Sequence, residues 1–193
     1  MNKRIHKSSR AKSEYFEGRH RFEHWYVDNQ VYFITARCRD RFPAFAGEAA
    51  KNVFWRKFDQ YASEFGFEPW VTSLIDNHYH TLGYLVRGMS LQKMMQRLHG
   101  SVAKLVNDLR PERRTEFFRD RKGHEYFDGC LRNEKQYRAT YRYIWTQCRR
   151  HGICEDPCDY PHTRVAVDLE DGLKRAVNLG AFMPGVAYPR LGR

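Results

Sequence analysis

The residues of this chain best suited to chemistry fall in two short segments. The first is His78-Tyr79-His80, within VTSLIDNHYHTLGYLV (71–86). In a strand, residues i and i+2 leave the same face, so both imidazoles can address one divalent ion while Tyr79 turns the other way. Neutral imidazole is a good ligand for divalent transition metals. The metallohydrolase pattern His-x-His-x-Asp-His is absent, because Leu82 and Gly83 take its last two places. A catalytic zinc site would need a third strong ligand, and none follows closely. Spacing alone also allows two exposed polar residues on one sheet face.

The second segment is RNEKQYRATYRYIWTQCRRHG (132–152), where Tyr137, Tyr141 and Tyr143 stand among Lys135, Arg138, Arg142, Arg149 and Arg150. On a helix, Tyr143 and Gln147 share a face with Cβ atoms about 5–6 Å apart, so a phenol oxygen and an amide oxygen can meet at one ion. Tyrosine, with an ordinary pKa of about 10, is a poor nucleophile unless a nearby cation favours the phenolate. Metal on a scissile phosphate would also prepare it for attack. The competing role for these tyrosines is core packing with phosphate contacts. Tyr137 and Tyr141 remain alternative nucleophiles, though Tyr141 lies on another face from Gln147.

The elements that must carry these side chains are legible in the patterning. Val31 to Arg37 is β-branched and aromatic and predicts a strand. Ala50, Val53, Phe54, Phe58 and Tyr61 recur at helical spacing between Gly47 and about Phe65. Phe67 to Ile75 and His78 to Val86 predict a hairpin around the turn pair Asp76-Asn77. Leu91, Met94, Met95, Leu98, Val102, Leu105 and Val106 place a second helix between Ser90 and about Leu109. Glu125 to Arg132 predicts a fourth strand, Asn133 the cap of a helix from Glu134 to about His151, and Gly152 its end. A short helix is expected at about 169–176. The order β-α-β-β-α-β-α predicts a ferredoxin-like, RRM-like α+β sandwich: a central antiparallel sheet, helices on one face, and a C-terminal extension. Residues 1–24 are expected as a basic arm, 25–153 as the domain, and 154–193 as an extension packed upon it.

Composition narrows the partner. The 193 residues hold 34 Lys and Arg against 23 Asp and Glu, a formal charge of +11, with 15% aromatics. Cations that track phosphates and rings that stack on bases suit single-stranded nucleic acid. Arg37, Arg39, Lys104, Arg142, Arg149 and Arg150 are candidate phosphate contacts. Five cysteines without an apolar leader suggest reduced thiols and a cytoplasmic protein. No apolar run is long enough to span a membrane. Two other classes compete: a non-catalytic RRM-like module stacking bases on Tyr32, Phe33 and Tyr84, and a structural zinc site from Cys148, His151, Cys154, Cys158 and His162, whose spacing matches no standard finger.

Three stretches together resemble the single-tyrosine HUH transposases of the insertion-sequence-two-hundred type, on the branch of the REP-associated tyrosine transposases. Val31 to Arg37 resembles the family's opening strand. Asn77-His78-Tyr79-His80 resembles its Asn-His-hydrophobic-His signature. Glu125 to Asn133 with Tyr143-Ile144 resembles its last strand and tyrosine helix. The resemblance implies a DNA transposase or a domesticated relative. Such an enzyme cleaves and rejoins single-stranded DNA beside hairpins through a 5′-phosphotyrosine, with Tyr143 as nucleophile. It also implies Mg²⁺ or Mn²⁺ on His78, His80 and Gln147, and a monomer in preference to a homodimer. The chain departs from the branch at Gln147-Cys148, where Asn-Pro is usual, at Ile75-Asp76, where Met-Pro is common, and at Tyr79, which is bulkier than the usual aliphatic.

Overall fold

A computed structural model of the chain describes residues 5–7, 24–119 and 123–183. Its strands are β1 (Ile5–Lys7), β2 (Trp25–Val27), β3 (Gln30–Arg37), β4 (Phe67–Ile75), β5 (His78–Leu85), β6 (Phe127–Cys130) and β7 (Thr163–Val165). Its α-helices are α1 (Glu48–Phe65), α2 (Ser90–Asp108), α3 (Glu134–Trp145), α4 (Gln147–Arg150) and α5 (Leu169–Asn178). β1 and β2 pair with each other, and the main sheet runs β6-β3-β5-β4-β7 with every pairing antiparallel. The βαββαβ order with this arrangement is the ferredoxin-like sandwich expected from the patterning.

Both faces of the sheet are covered. Alternation along β3 and β5 sends Tyr32, Ile34, Tyr79 and Leu85 into an aromatic core with Phe54 and Phe58 of α1 and Met94, Leu98 and Val102 of α2. This is the pair of helices expected on one face. The opposite set, Val31, Val71 and Leu82, packs under Tyr137, Tyr141 and Ile144 of α3 and Leu173 and Ala176 of α5. A central strand buried on both sides must satisfy its polar side chains internally. The buried Thr72 and Thr81 do so through hydroxyls 2.6 Å apart.

Several features depart from the patterning. The helix expected to run unbroken to His151 is interrupted at Thr146, with φ −90° and ψ 13°. The Thr146 hydroxyl donates to the Arg142 carbonyl at 2.8 Å, a local bond that competes with the helical ladder. β7 extends the sheet beside β4 and has no counterpart in the predicted elements. Of the basic arm 1–24, only Ile5–Lys7 and His24 fall within the described residues. Among the described residues, no helix is long and apolar enough to cross a membrane.

Gly83 holds the tightest approach in the hairpin. Its chain passes the Pro69/Val71 irregularity of β4, and a Cβ there would lie 2.4 Å from the Glu68 carbonyl oxygen and 2.6 Å from the Phe67 ring. We expect Gly83→Ala to destabilise the protein by about 1–3 kcal/mol, the cost of overpacking against backbone. A lower urea midpoint at an unchanged m-value is the readout, and an unmoved midpoint would contradict this packing.

Candidate active site

His78 and His80 leave β5 on the α3 side of the sheet. Arg37 and Thr35 of β3 stand opposite them in register. Their rings lie 4.9 Å apart, centroid to centroid, and the residues are only 3% and 4% exposed. Burial, then Arg37 and His151, pushes His78 down to about 4, while the neighbouring Gln147 amide pulls the other way. Burial holds His80 well below the ordinary range, with His78, Arg37, His151 and Arg150 acting in the same direction. Both imidazoles are therefore neutral at pH 7, the state in which they can donate a lone pair.

The tyrosine segment reaches them because of how α3 is anchored. The Asn133 side chain accepts from the Gln136 N–H at 2.9 Å and caps the helix, as expected. Tyr137, Tyr141 and Ile144 form the stripe that faces the sheet. Tyr137 and Tyr141 are spent in the core: burial raises both phenols, Tyr141 to about 12, and the Tyr141 hydroxyl donates to the Val167 carbonyl at 2.9 Å. Tyr143 flanks this stripe at the histidine end. Its hydroxyl lies 3.4 Å from His80 Nε2, and its ring meets Phe33 edge-on at 6.2 Å. The Arg150 guanidinium sits 5.0 Å from the ring centre. Gln147, 1% exposed, donates its amide N–H to the Tyr143 carbonyl at 2.8 Å, which leaves its amide oxygen to face His78.

The donor set fits a divalent cation. His80 Nδ1 is buried with no hydrogen-bond partner, a costly state unless something else satisfies the ring. The His78 imidazole is its neighbour, and the Gln147 amide lies beside His78. Among the described residues, no three His, Cys, Asp or Glu side chains form a metal-binding group, so an ion would depend on Gln147 as its third protein ligand. The zinc cluster considered from the cysteines does not assemble. His162 accepts from the Trp55 indole at 3.0 Å and faces Glu48 at 3.1 Å, Cys158 is exposed, and Cys148 packs with Cys154 against Ile75 and Tyr160.

Comparison with known proteins bears on the family and the fold. A family model described as "Transposase IS200 like" matches residues 26–147, more than half of the chain. This chain belongs to the IS200-like transposase family. Among solved structures, a REP-associated tyrosine transposase bound to a REP hairpin is similar over 92% of this chain and 97% of its own, with 16% identity and a TM-score of 0.59. That likeness concerns the fold. No curated protein matches the chain.

In this IS200-like transposase the other expected contacts are distributed unevenly. Arg37 and Arg150 border the histidines. Arg39 is ion-paired with Glu116 in the loop after β3. Arg142 lies on the outer surface of α3 in a depression shared with Lys135 and Arg138, and Arg149 is exposed on α4. Lys104 is exposed on α2, a helix that covers the opposite sheet face, so it is not brought to the site. The open stacking face expected from Tyr32, Phe33 and Tyr84 is not there. Tyr32 is buried and bonded to Val27, Phe33 packs on His80 and Tyr143, and Tyr84 stacks on Trp70. Sequence reasoning missed His151 as a neighbour of the pair. Its ring lies 5.1 Å from that of His78, and its position just past the end of α4 carried no signal of that contact.

The depressed His78 has a consequence for stability. Unfolded, it titrates near 6.5; folded, it resists protonation down to about 4. Between these values only the unfolded chain binds the proton, so stability falls as pH drops through this window and levels off below it. Replacing His78 by Gln should flatten that loss by roughly 1–3 kcal/mol. Urea unfolding at pH 7 and pH 4.5 measures it, and equal losses in both proteins would refute the assignment.

Proposed function

We propose that this transposase cleaves and rejoins single-stranded DNA beside hairpins, using Tyr143 as nucleophile on a scissile phosphate bound to an ion that His78, His80 and Gln147 would hold. The observation that carries this reading is the meeting of the Tyr143 hydroxyl with His80 at 3.4 Å, with Gln147 one helical turn on. Tyr143 lies beside the histidines of its own chain, which supports the tyrosine acting in cis in a monomer. The hairpin substrate is proposed by analogy with the similar transposase, which is bound to a REP hairpin.

In the proposed reaction the Tyr143 oxygen bonds to phosphorus and the bond to the 3′ oxygen breaks. The phenol gives up its proton and the leaving oxygen gains one. The phosphotyrosine conserves the energy of the phosphodiester, so a second 3′-hydroxyl can reverse the step and join strands. Magnesium or manganese bound to the two imidazoles and the amide would polarise the scissile phosphate. Arg150, over the Tyr143 ring, favours the negative charge that the phenol oxygen carries during attack. Phe33 and the α3 stripe keep the tyrosine in one orientation.

Arg37 and Arg150 are proposed to receive the strand's phosphates at the site. The charge continues over the adjoining loops, where the Arg110 and Arg114 guanidiniums lie 4.1 and 4.0 Å from the Phe42 ring beside the exposed Arg41. Cations already lie over the Phe42 ring, so this surface suits phosphates rather than stacked bases.

Incubating the protein with a labelled hairpin-flanked single strand and Mg²⁺ or Mn²⁺ should yield a covalent protein–DNA adduct. Tyr143→Phe should yield none, while Tyr141→Phe keeps it. An adduct that survives Tyr143→Phe removes the nucleophile assignment. A second expectation concerns binding without chemistry. In metal-free Tyr143→Phe, adding Arg41→Gln and Arg114→Gln should lower the slope of log affinity against log salt by roughly 0.7 per lost single-strand phosphate contact. An unchanged slope would place the strand elsewhere.

A further inference from the structure

The hydrogen bonds that end on Asn77 decide which nitrogen of His78 is available. The Asn77 amide N–H donates to the Arg41 carbonyl at 3.1 Å. A carbonyl can only accept, so this bond settles which end of the amide points where. The amide oxygen then lies 2.6 Å from His78 Nδ1. An amide oxygen also only accepts, so Nδ1 carries the proton. In a neutral ring, Nε2 then keeps its lone pair.

The chain holds this arrangement from both sides. The Asn77 carbonyl accepts from the Cys38 N–H at 2.8 Å, and the neighbouring Asp76 carbonyl accepts from Phe45 at 2.8 Å. The Arg41 carbonyl reaches the amide because Asp40 and Arg41 both adopt left-handed backbone angles, with φ of 55° and 56°. Two consecutive residues other than glycine in that region cost energy that the surroundings must offset. Among the described residues, the Asn77 amide bond to Arg41 is a polar contact this turn makes toward the histidines.

We propose that Asn77 is a positioning residue that locks His78 in the Nδ1–H tautomer and so reserves Nε2 for a divalent cation, with the left-handed Asp40–Arg41 turn holding Asn77 in place. The proposal rests on the reading of His78 as an ion ligand. It gives the asparagine before the first histidine a chemical task, since partners behind a metal-binding histidine fix its tautomer and ring orientation.

Nitrogen-15 NMR of the full labelled chain separates the two nitrogens. Wild type should show His78 with a protonated Nδ1 and a bare Nε2 before any metal is added. Asn77→Ala should show a mixture of tautomers and bind Mn²⁺ about 10–100-fold more weakly, as read by calorimetry. Asn77→Asp keeps an acceptor oxygen but loses the N–H that reaches the Arg41 carbonyl, so it should recover the Nδ1–H form only in part; an unchanged urea midpoint in Asn77→Ala separates tautomer control from general loss of structure. An Asn77→Ala protein that retains the wild-type tautomer, or that binds Mn²⁺ as tightly as wild type, overturns the proposal. A wild type that shows the Nδ1–H form but takes up no Mn²⁺ instead defeats the ion-ligand reading beneath it.

Discussion

The side-chain alternation of β5 serves the core and the site at once. Tyr79 is fully buried among Phe54, Phe58 and Phe118, and its hydroxyl is 3.0 Å from His99 Nε2. His78 and His80 must then leave by the other face. A one-residue slip would drive both imidazoles into the aromatic core and turn Tyr79 toward Tyr143. The register that prevents this is set by the two-residue turn after Ile75 and by the pairing of Arg37 with His78. Any change that loosens the aromatic core on the α1 side therefore also loosens the histidines on the α3 side.

The helix face obeys a matching constraint. Tyr137, Tyr141 and Ile144 must be buried for α3 to be stable, and burying them fixes the rotation of the helix about its axis. Tyr143 and Gln147 follow from that rotation, since they flank the buried stripe. The break at Thr146 then matters locally: it starts a new turn at Gln147, whose amide bonds back to the Tyr143 carbonyl. Core packing thus supplies the orientation, and the break supplies the last adjustment. The side chains proposed for chemistry sit at the margin of well-packed elements rather than on free loops.

This also explains which features could be read from sequence. Period-two alternation, the Asp76-Asn77 turn and the 3.6-residue stripes are local, and they suffice for the ferredoxin-like order, for His78 and His80 on one strand face and for Tyr143 and Gln147 on one helix face; only the family resemblance implied that the two pairs meet. Other features depend on the tertiary arrangement. Lys104 is exposed on its helix, but nothing local says which sheet face that helix covers. β7 has three residues, none of them buried, and gains its strand character from the edge of β4. The buried stripe of α3 did contain a warning against an open sheet face, since such a stripe needs a surface to cover. His151 and the Arg110–Phe42–Arg114 stack join positions far apart in the chain and have no local pattern.

The charge distribution bears on how an ion and a strand would arrive. The histidines are neutral, and the groups around them are positive: Arg37, Arg150 and the loop arginines. For a bare divalent cation this surrounding field is repulsive, and no carboxylate takes part in the donor set to offset it. For a phosphate the same field is attractive. A cation bound together with a phosphodiester shares the phosphate's negative charge, so each reduces the cost of the other. Such coupling is reciprocal: DNA tightens the ion and the ion tightens DNA. A donor set of two imidazoles and one amide, set beneath arginines, is therefore suited to hold its ion more tightly when the substrate is present.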